Sequence, residues 1–224
     1  MVATATILSC LPIDKPNTLN PKILFAGGSA FLSDASTLAI KGRIEFTESH
    51  AEQSGSFQLF LNGPDSASFL IEGPLGADAF RLVVLGDIAQ ILADDGWIAI
   101  AADERVDISE YGIENISPFL VGPLIFPQYY PVDLVDTNDV GYLAVTVRGH
   151  GFSSRLQQFG EYFNLIDPRT GIIAEYRNRK EFDEGFYPSS IETFNPQSSG
   201  WKINLKITRI RENPTIPPTV WQTD

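Results

Sequence analysis

Few residues in this chain could do covalent or metal chemistry. Cysteine occurs once, at Cys10, and histidine twice, at His50 and His150, among 224 residues. One thiol has no partner for an intrachain disulfide, and one thiol with two imidazoles falls short of a closed zinc site. A Ser-His-Asp relay would have to use His50 or His150. Both sit in polar stretches, Thr47–Ser54 and Arg148–Gly151, and no Gly-x-Ser-x-Gly elbow occurs. The phosphate-cradling patterns Gly-x-x-x-x-Gly-Lys-Ser/Thr and Gly-x-Gly-x-x-Gly are also missing from the sequence. Carboxylates cluster at Asp94/Asp95, Asp133/Asp136 and Glu181/Asp183/Glu184. Acid–base hydrolysis of a glycoside needs two of them about 5–10 Å apart across a cleft, whereas pairs in polar loops read first as solvated charges. Asp133, Asp136 and Asp139 could in principle hold Ca²⁺, but without the spacing of a dedicated loop. The expectation is a non-enzymatic protein with no cofactor and no metal.

The charge balance narrows the partners. Lys and Arg number 16 and Asp and Glu 28, a formal charge of −12 and a pI near 4.5. Nucleic-acid binding requires clustered cations, so it is not expected. Hydrophobic residues at 43% and aromatics at 11% are enough for a core. In this light Cys10 takes on a second meaning. Ile7-Leu8-Ser9-Cys10 looks like a bacterial lipobox, an aliphatic and a small residue ahead of a cysteine that receives lipid, although no Lys or Arg precedes it. Leu11 stands where aspartate would signal inner-membrane retention, which points to the outer membrane, periplasmic face. Pro12, Pro16 and Pro21 then read as an extended tether, so residues 1–22 are expected to be lipobox and tether and 23–224 a single domain.

The elements of that domain are mostly strands. Ile23, Leu24, Phe25 and Phe31 predict a short helix between Ile23 and Ala35, weakened by Gly27 and Gly28. From Leu38 the apolar period becomes two: Leu38, Ile40, Gly42, Ile44 and Phe46 alternate with Ala39, Lys41, Arg43 and Glu45. After a polar turn at Glu48–Ser54, further strands follow at Phe57–Leu61, Ala67–Glu72, Ala79–Leu85, Ile88–Leu92 and Trp97–Ala101. Asp107–Tyr130 loses the alternation, and Pro118, Pro123 and Pro127 restrict it to one or two short helices. Strands return at Gly141–Arg148, at a hairpin from Phe159 to Arg179 turning at Asp167–Gly171, and at Pro188–Phe194 and Trp201–Arg211. Pro214, Pro217 and Pro218 end the pairing. The class is mainly β (α+β), an antiparallel meander.

Gly73-Pro74-Leu75-Gly76 separates two of these strands and leaves Leu75 at a turn tip, far from the core of its own sheet. It either folds back onto a neighbouring loop or enters a membrane or a partner, worth about 1.5–3 kcal/mol for one leucine. Here the sequence resembles LolB, the outer-membrane lipoprotein receptor family of diderm bacteria. Thr37–Ile44 is similar to that family's first strand with its Gly-Arg pair, and Glu72-Gly73-Pro74-Leu75-Gly76 to its Asn-Pro-Leu-Gly turn, with Gly73 in place of asparagine. Ile91–Gly96 resembles the following strand and turn, and Pro188–Glu192 with Trp201–Ile207 the final two strands. The resemblance implies an incomplete antiparallel β-barrel wrapped around a few short helices. It implies that Leu75 is a membrane-interacting residue, and that a hydrophobic cavity accepts acyl chains of lipoproteins or lipids delivered by a LolA-like periplasmic carrier. Candidate cavity residues are Ile40, Ile44, Phe46, Phe57, Leu59, Phe69, Ile71, Phe80, Leu82 and Trp97; the competing reading of each is plain core packing. Two other functions stay open: an envelope module of the same fold that binds a protein or polysaccharide through a groove using Tyr129, Tyr130 and Trp221, and a hydrolase with converging acids.

Overall fold

A computed structural model describes residues 24–26, 29–31, 35–48, 51–73, 78–93, 96–108, 113–137, 142–149, 152–159, 162–182, 185–197 and 200–223. The expected lipobox and tether with Cys10, both histidines, and Pro74, Leu75 and Gly76 lie outside the described residues. The first strands are β1 (Leu24–Ala26) and β2 (Ser29–Phe31), paired antiparallel with Leu24 opposite Phe31. The helix expected between Ile23 and Ala35 is therefore a hairpin. Gly27-Gly28, which weakens a helix, is at the same time a hairpin signal between two short apolar runs.

A six-strand meander follows: β3 (Thr37–Glu48), β4 (Ala51–Asn62), β5 (Ser66–Glu72), β6 (Asp78–Leu85), β7 (Ile88–Ala93) and β8 (Gly96–Ala101). The polar stretch expected as a turn over Glu48–Ser54 is mostly strand, because the β3–β4 ladder runs on to Glu48 opposite Ala51 and backbone pairing there needs no apolar side chain. β9 (Val106–Ile108) and β10 (Ile113–Ile116) form a separate two-stranded ribbon. A 3-10 turn at Pro118–Leu120, the short helix α1 (Val121–Ile125) and a second 3-10 turn at Pro127–Tyr129 come next. A second meander comprises β11 (Val132–Thr137), β12 (Tyr142–Gly149), β13 (Phe152–Phe159), β14 (Tyr162–Ile166), β15 (Ile173–Phe182), β16 (Gly185–Phe194) and β17 (Lys202–Glu212). β11 and β13 were not expected from the sequence; both carry many polar residues and are held by ladders to neighbours on each side.

The two meanders become one sheet where β17 pairs with β3, from Lys202 opposite Thr47 to Glu212 opposite Leu38. The result is a 15-stranded antiparallel sheet ending in β1 on one side and β8 on the other, not closed into a barrel. It bends around the middle segment. Gly42 faces inward on β3, and a Cβ there would come within 2.5 Å of the Phe57 ring and 2.3 Å of the Lys206 carbonyl oxygen. Only glycine lets that ring cross the strand. A register shift between Ile207 and Arg209 on β17 sits beside it, and such bulges add curvature.

Three prolines make the middle segment compact. Pro123 falls in the first turn of α1, where a missing N–H is harmless. Phe119, Leu120, Ile125, Phe126, Tyr129 and Tyr130 are each at most 5% exposed, so the segment is a plug rather than a surface loop. Its hydroxyls bolt it to the sheet. Tyr129 donates to the Ser36 carbonyl and accepts from the Gly63 N–H at 2.7 Å, and the Tyr176 hydroxyl of β15 donates to the Leu124 carbonyl at 2.8 Å. After β17, Asn213 accepts from the Ser36 N–H at 2.8 Å and steers the tail across the outer face. There Ser68 Oγ donates to the Val220 carbonyl at 3.0 Å.

Burial pushes the Tyr129 hydroxyl up to about 12, with the Gly63 hydrogen bond opposing it, and raises Tyr130 and Tyr176 as well. Below pH 10 these groups are neutral folded or unfolded. Above 10 the unfolded tyrosines ionise while the folded ones hold their protons, so unfolding releases protons and stability falls as pH rises. Urea unfolding is expected to give a flat free energy from pH 7 to 9 and a steady loss between pH 10 and 12. A stability still flat at pH 11.5 would contradict the buried tyrosines.

Candidate functional site: an apolar cavity under the sheet

Because cross-strand partners share a face, the registers assign each side chain to a side. One inward row runs Leu59–Phe69–Leu82–Ile91–Ile98, and a second runs Phe57–Ile71–Phe80. Between these rows, α1 and the far meander lies a cavity. Its walls are Ile44 and Phe46 of β3, Phe69 and Ile71 of β5, Phe80 and Leu82 of β6, and Ile91 of β7. Thr193, Ile203 and Leu205 come from β16 and β17, Val106 and Ile116 from the small ribbon, and Pro118, Val121, Leu124 and Ile125 from the plug. Among the described residues Thr193 is the one lining side chain with a polar atom, and no charged side chain lines the wall. The concavity spans about 690 Å³ including solvent at its mouth.

Of the ten residues expected to line a cavity, Ile44, Phe46, Phe69, Ile71, Phe80 and Leu82 do so. Ile40, Phe57 and Leu59 point inward and are at most 1% exposed, packed in the core beside the cavity rather than along its wall. Trp97 is misplaced by one position of the strand period. It pairs with Leu92, and Leu92 with Arg81, so all three lie on the outer face, where the Arg81 guanidinium sits 5.4 Å from the centre of the Trp97 ring. The sequence runs Gly-Trp-Ile-Ala-Ile-Ala, in which tryptophan and isoleucine compete for the inward phase; the hairpin register gives it to Ile98 and Ile100. Gly73 is described and half-buried, and directly precedes the turn whose other residues are undescribed. Ile71 and Phe80, both wall residues, are the last inward pair of the β5–β6 ladder on that side.

The plug and ribbon residues were not picked out from the sequence, because their spacing follows neither period. The available signal was the density of apolar residues and prolines between Ile113 and Pro131. Of the other candidate groups, Asp94, Asp95, Asp139, Asp183 and Glu184 lie outside the described residues. Tyr129 and Tyr130 are 3% and 2% exposed, so they cannot form a surface groove with Trp221. Asp133 pairs with Arg148 at 2.7 Å on an exposed stretch of β11 and β12. Among the described residues no three His, Cys, Asp or Glu side chains converge on a point.

No family model matches the sequence, and no curated protein matches it. Solved structures do resemble it. A LolA superfamily protein from Nitrosomonas europaea superposes with a TM-score of 0.57 at 12% identity, over 85% of this chain and 91% of that one. A DUF1329 family protein from Desulfovibrio piger gives 0.55 at 10% identity, over 85% and 91%. A domain described as an outer membrane lipoprotein-sorting protein domain from Vibrio parahaemolyticus gives 0.52 at 8% identity, over 83% and 89%. At such low identity the likeness is one of fold: the chain has the LolA-like incomplete barrel.

Xenon probes a dry apolar cavity directly. It is expected to shift methyl resonances of Ile71, Leu82 and Leu205 in the native protein. Leu82→Ala should enlarge that response and lower stability by about 2–5 kcal/mol, while Trp97→Ala should leave the response unchanged. A response abolished by Trp97→Ala would refute the register drawn here.

Proposed function

We propose that this protein is a non-enzymatic carrier or receptor of the bacterial envelope that takes an acyl chain of a lipid or lipoprotein into the cavity under its sheet. The observation that carries this reading is the wall itself, apolar side chains and one threonine around a concave space under the sheet. Each methylene transferred from water into such a space gains about 0.8 kcal/mol, and the wall offers no charged group to hold a head group, which stays at the mouth. The gain requires no covalent step, so uptake and release follow from burial alone. The fold shared with a LolA superfamily protein and with a lipoprotein-sorting domain supports the same assignment.

The finer reading is a LolB-like role at the periplasmic face of the outer membrane. Cys10 carries the lipid, residues 11–22 form the tether, Leu75 touches the bilayer, and a LolA-like carrier delivers the cargo. With a charge of −12, attraction to an anionic leaflet cannot hold the protein there. The anchor must then be lipid, with Leu75 a minor contributor.

A fluorescent sixteen-carbon fatty acid tests the uptake. It is expected to bind the native protein in one apolar site. Ile91→Trp, which plugs the wall from a half-buried position, should weaken binding at least about tenfold with unchanged circular dichroism. Equal affinity in the variant would refute the cavity as the site. The anchor is tested separately by the mass of the N-terminal peptide from membrane-purified protein: a diacylated or triacylated Cys10 is expected, and a free thiol would remove it.

A further inference from the structure

We propose that the edge strand β8 is a docking site for an extended, basic-flanked segment of a partner protein, which adds to the sheet as a further strand. The observation is independent of the cavity. β8 ends the 15-stranded sheet, and its six residues, Gly96 to Ala101, carry no charge and no proline. Open edges ordinarily carry such residues to prevent pairing.

The backbone polarity of the edge follows from one hydrogen bond. The Ala101 N–H turns away from β7 and donates to the Glu104 carboxylate at 2.8 Å, and the Ala101 carbonyl accepts from the Glu104 N–H at 3.1 Å. In an antiparallel ladder the two backbone groups of a residue point the same way and successive residues alternate. Trp97 and Ala99 therefore face outward with Ala101, leaving Ile98 and Ile100 to bond β7. Glu104 closes the Ala101 end. The outward N–H and C=O groups of Trp97 and Ala99 have no partner among the described residues. They offer an incoming strand two donors and two acceptors.

Side chains and charge define the occupant. The inward row Leu59–Phe69–Leu82–Ile91 ends at Ile98, which is 54% exposed because no strand continues the row. An apolar residue of a docked strand would extend the row and cover Ile98. The sequence flanking β8 is mostly acidic, with Arg81 over Trp97 and Arg105 as the nearby cations. Asp94-Asp95 precede it in sequence, and the exposed Asp103 and Glu104 follow it. A segment with apolar residues at alternate positions and Lys or Arg at both ends matches backbone, row and charge together. A second copy of this chain would bring like charges against these ends and a net −12 against −12, which opposes self-pairing.

The probe is a labelled synthetic peptide, Lys-Lys-Val-Thr-Val-Thr-Val-Lys-Lys, against a control with Glu in place of every Lys. Fluorescence anisotropy is expected to show saturable binding of the first and at least about tenfold weaker binding of the second. Ala99→Pro deletes one outward donor and no β7 bond, and Ile98→Lys places a charge at the row's end; each should weaken binding at least about tenfold. Hydrogen exchange on the native protein needs no variant, and the Trp97 and Ala99 amides should become protected when the peptide is bound. Three results would overturn the proposal. These are no binding of the Lys-flanked peptide, binding that leaves the Trp97 and Ala99 amides unprotected, and a dimer of the chain itself that Ala99→Pro dissolves.

Discussion

The structure depends on the packing of one short apolar plug against the concave side of an open sheet. Fifteen strands without closure would expose one apolar face along their whole length. The segment from Ser117 to Tyr130 covers that face with leucine, isoleucine and aromatic side chains, almost all buried. The Tyr129 hydroxyl and the Leu124 carbonyl are met through Ser36, Gly63 and Tyr176. Tyr130 lies so close over Gly122 that a Cβ at that position would fall 1.9 Å from its hydroxyl, so the plug is also folded tightly on itself. The concave space exists because the plug does not fill the whole concavity: it occupies the Tyr129 end and stops short of the end where Ile71 faces Phe80.

This division gives the two ends of the sheet different chemistry. At the Tyr129 end hydroxyls and backbone groups fasten the plug to Ser36 and Gly63, and Asn213 ties the end of β17 to the start of β3. At the other end the same inward rows surround space walled almost wholly by hydrocarbon. Ordered polar contacts on one side and unsatisfied apolar surface on the other are what a protein needs in order to hold its shape while a ligand enters and leaves. Burial of an apolar chain in that space would draw on the same source as the fold, removal of hydrocarbon from water. The tail crosses the outer face at Ser68 and Arg81, on the opposite side of the sheet from the cavity.

Most of the sheet was legible in the sequence because a half-buried antiparallel strand writes its geometry as a period of two. β3 alternates cleanly and β5 and β6 largely so, and the six expected cavity-wall residues lie on these three strands. Legibility failed where the alternation carried no information. β11 and β13 are polar strands specified by their neighbours' ladders. In β8 tryptophan and isoleucine occupy opposite phases, and only the two-residue hairpin before it decides which faces inward. The expected helix near Ile23 failed for the reverse reason, since a handful of apolar residues at mixed spacing fits a helix face as well as two three-residue strands. The plug's contribution to the cavity was hidden because irregular backbone has no period at all. The resemblance to the LolB family reached the right fold.

The central claim is that hydrocarbon occupies the space between Ile71, Leu82 and Leu205. A fatty acid spin-labelled near its methyl end, added to protein with isotopically labelled isoleucine and leucine methyls, measures this by distance-dependent broadening. The account predicts that the methyls of Ile71, Leu82, Ile91 and Leu205 broaden first and those of Leu85 and Ile88, exposed on the outer face, remain sharp. Broadening confined to Leu85 and Ile88 would contradict it.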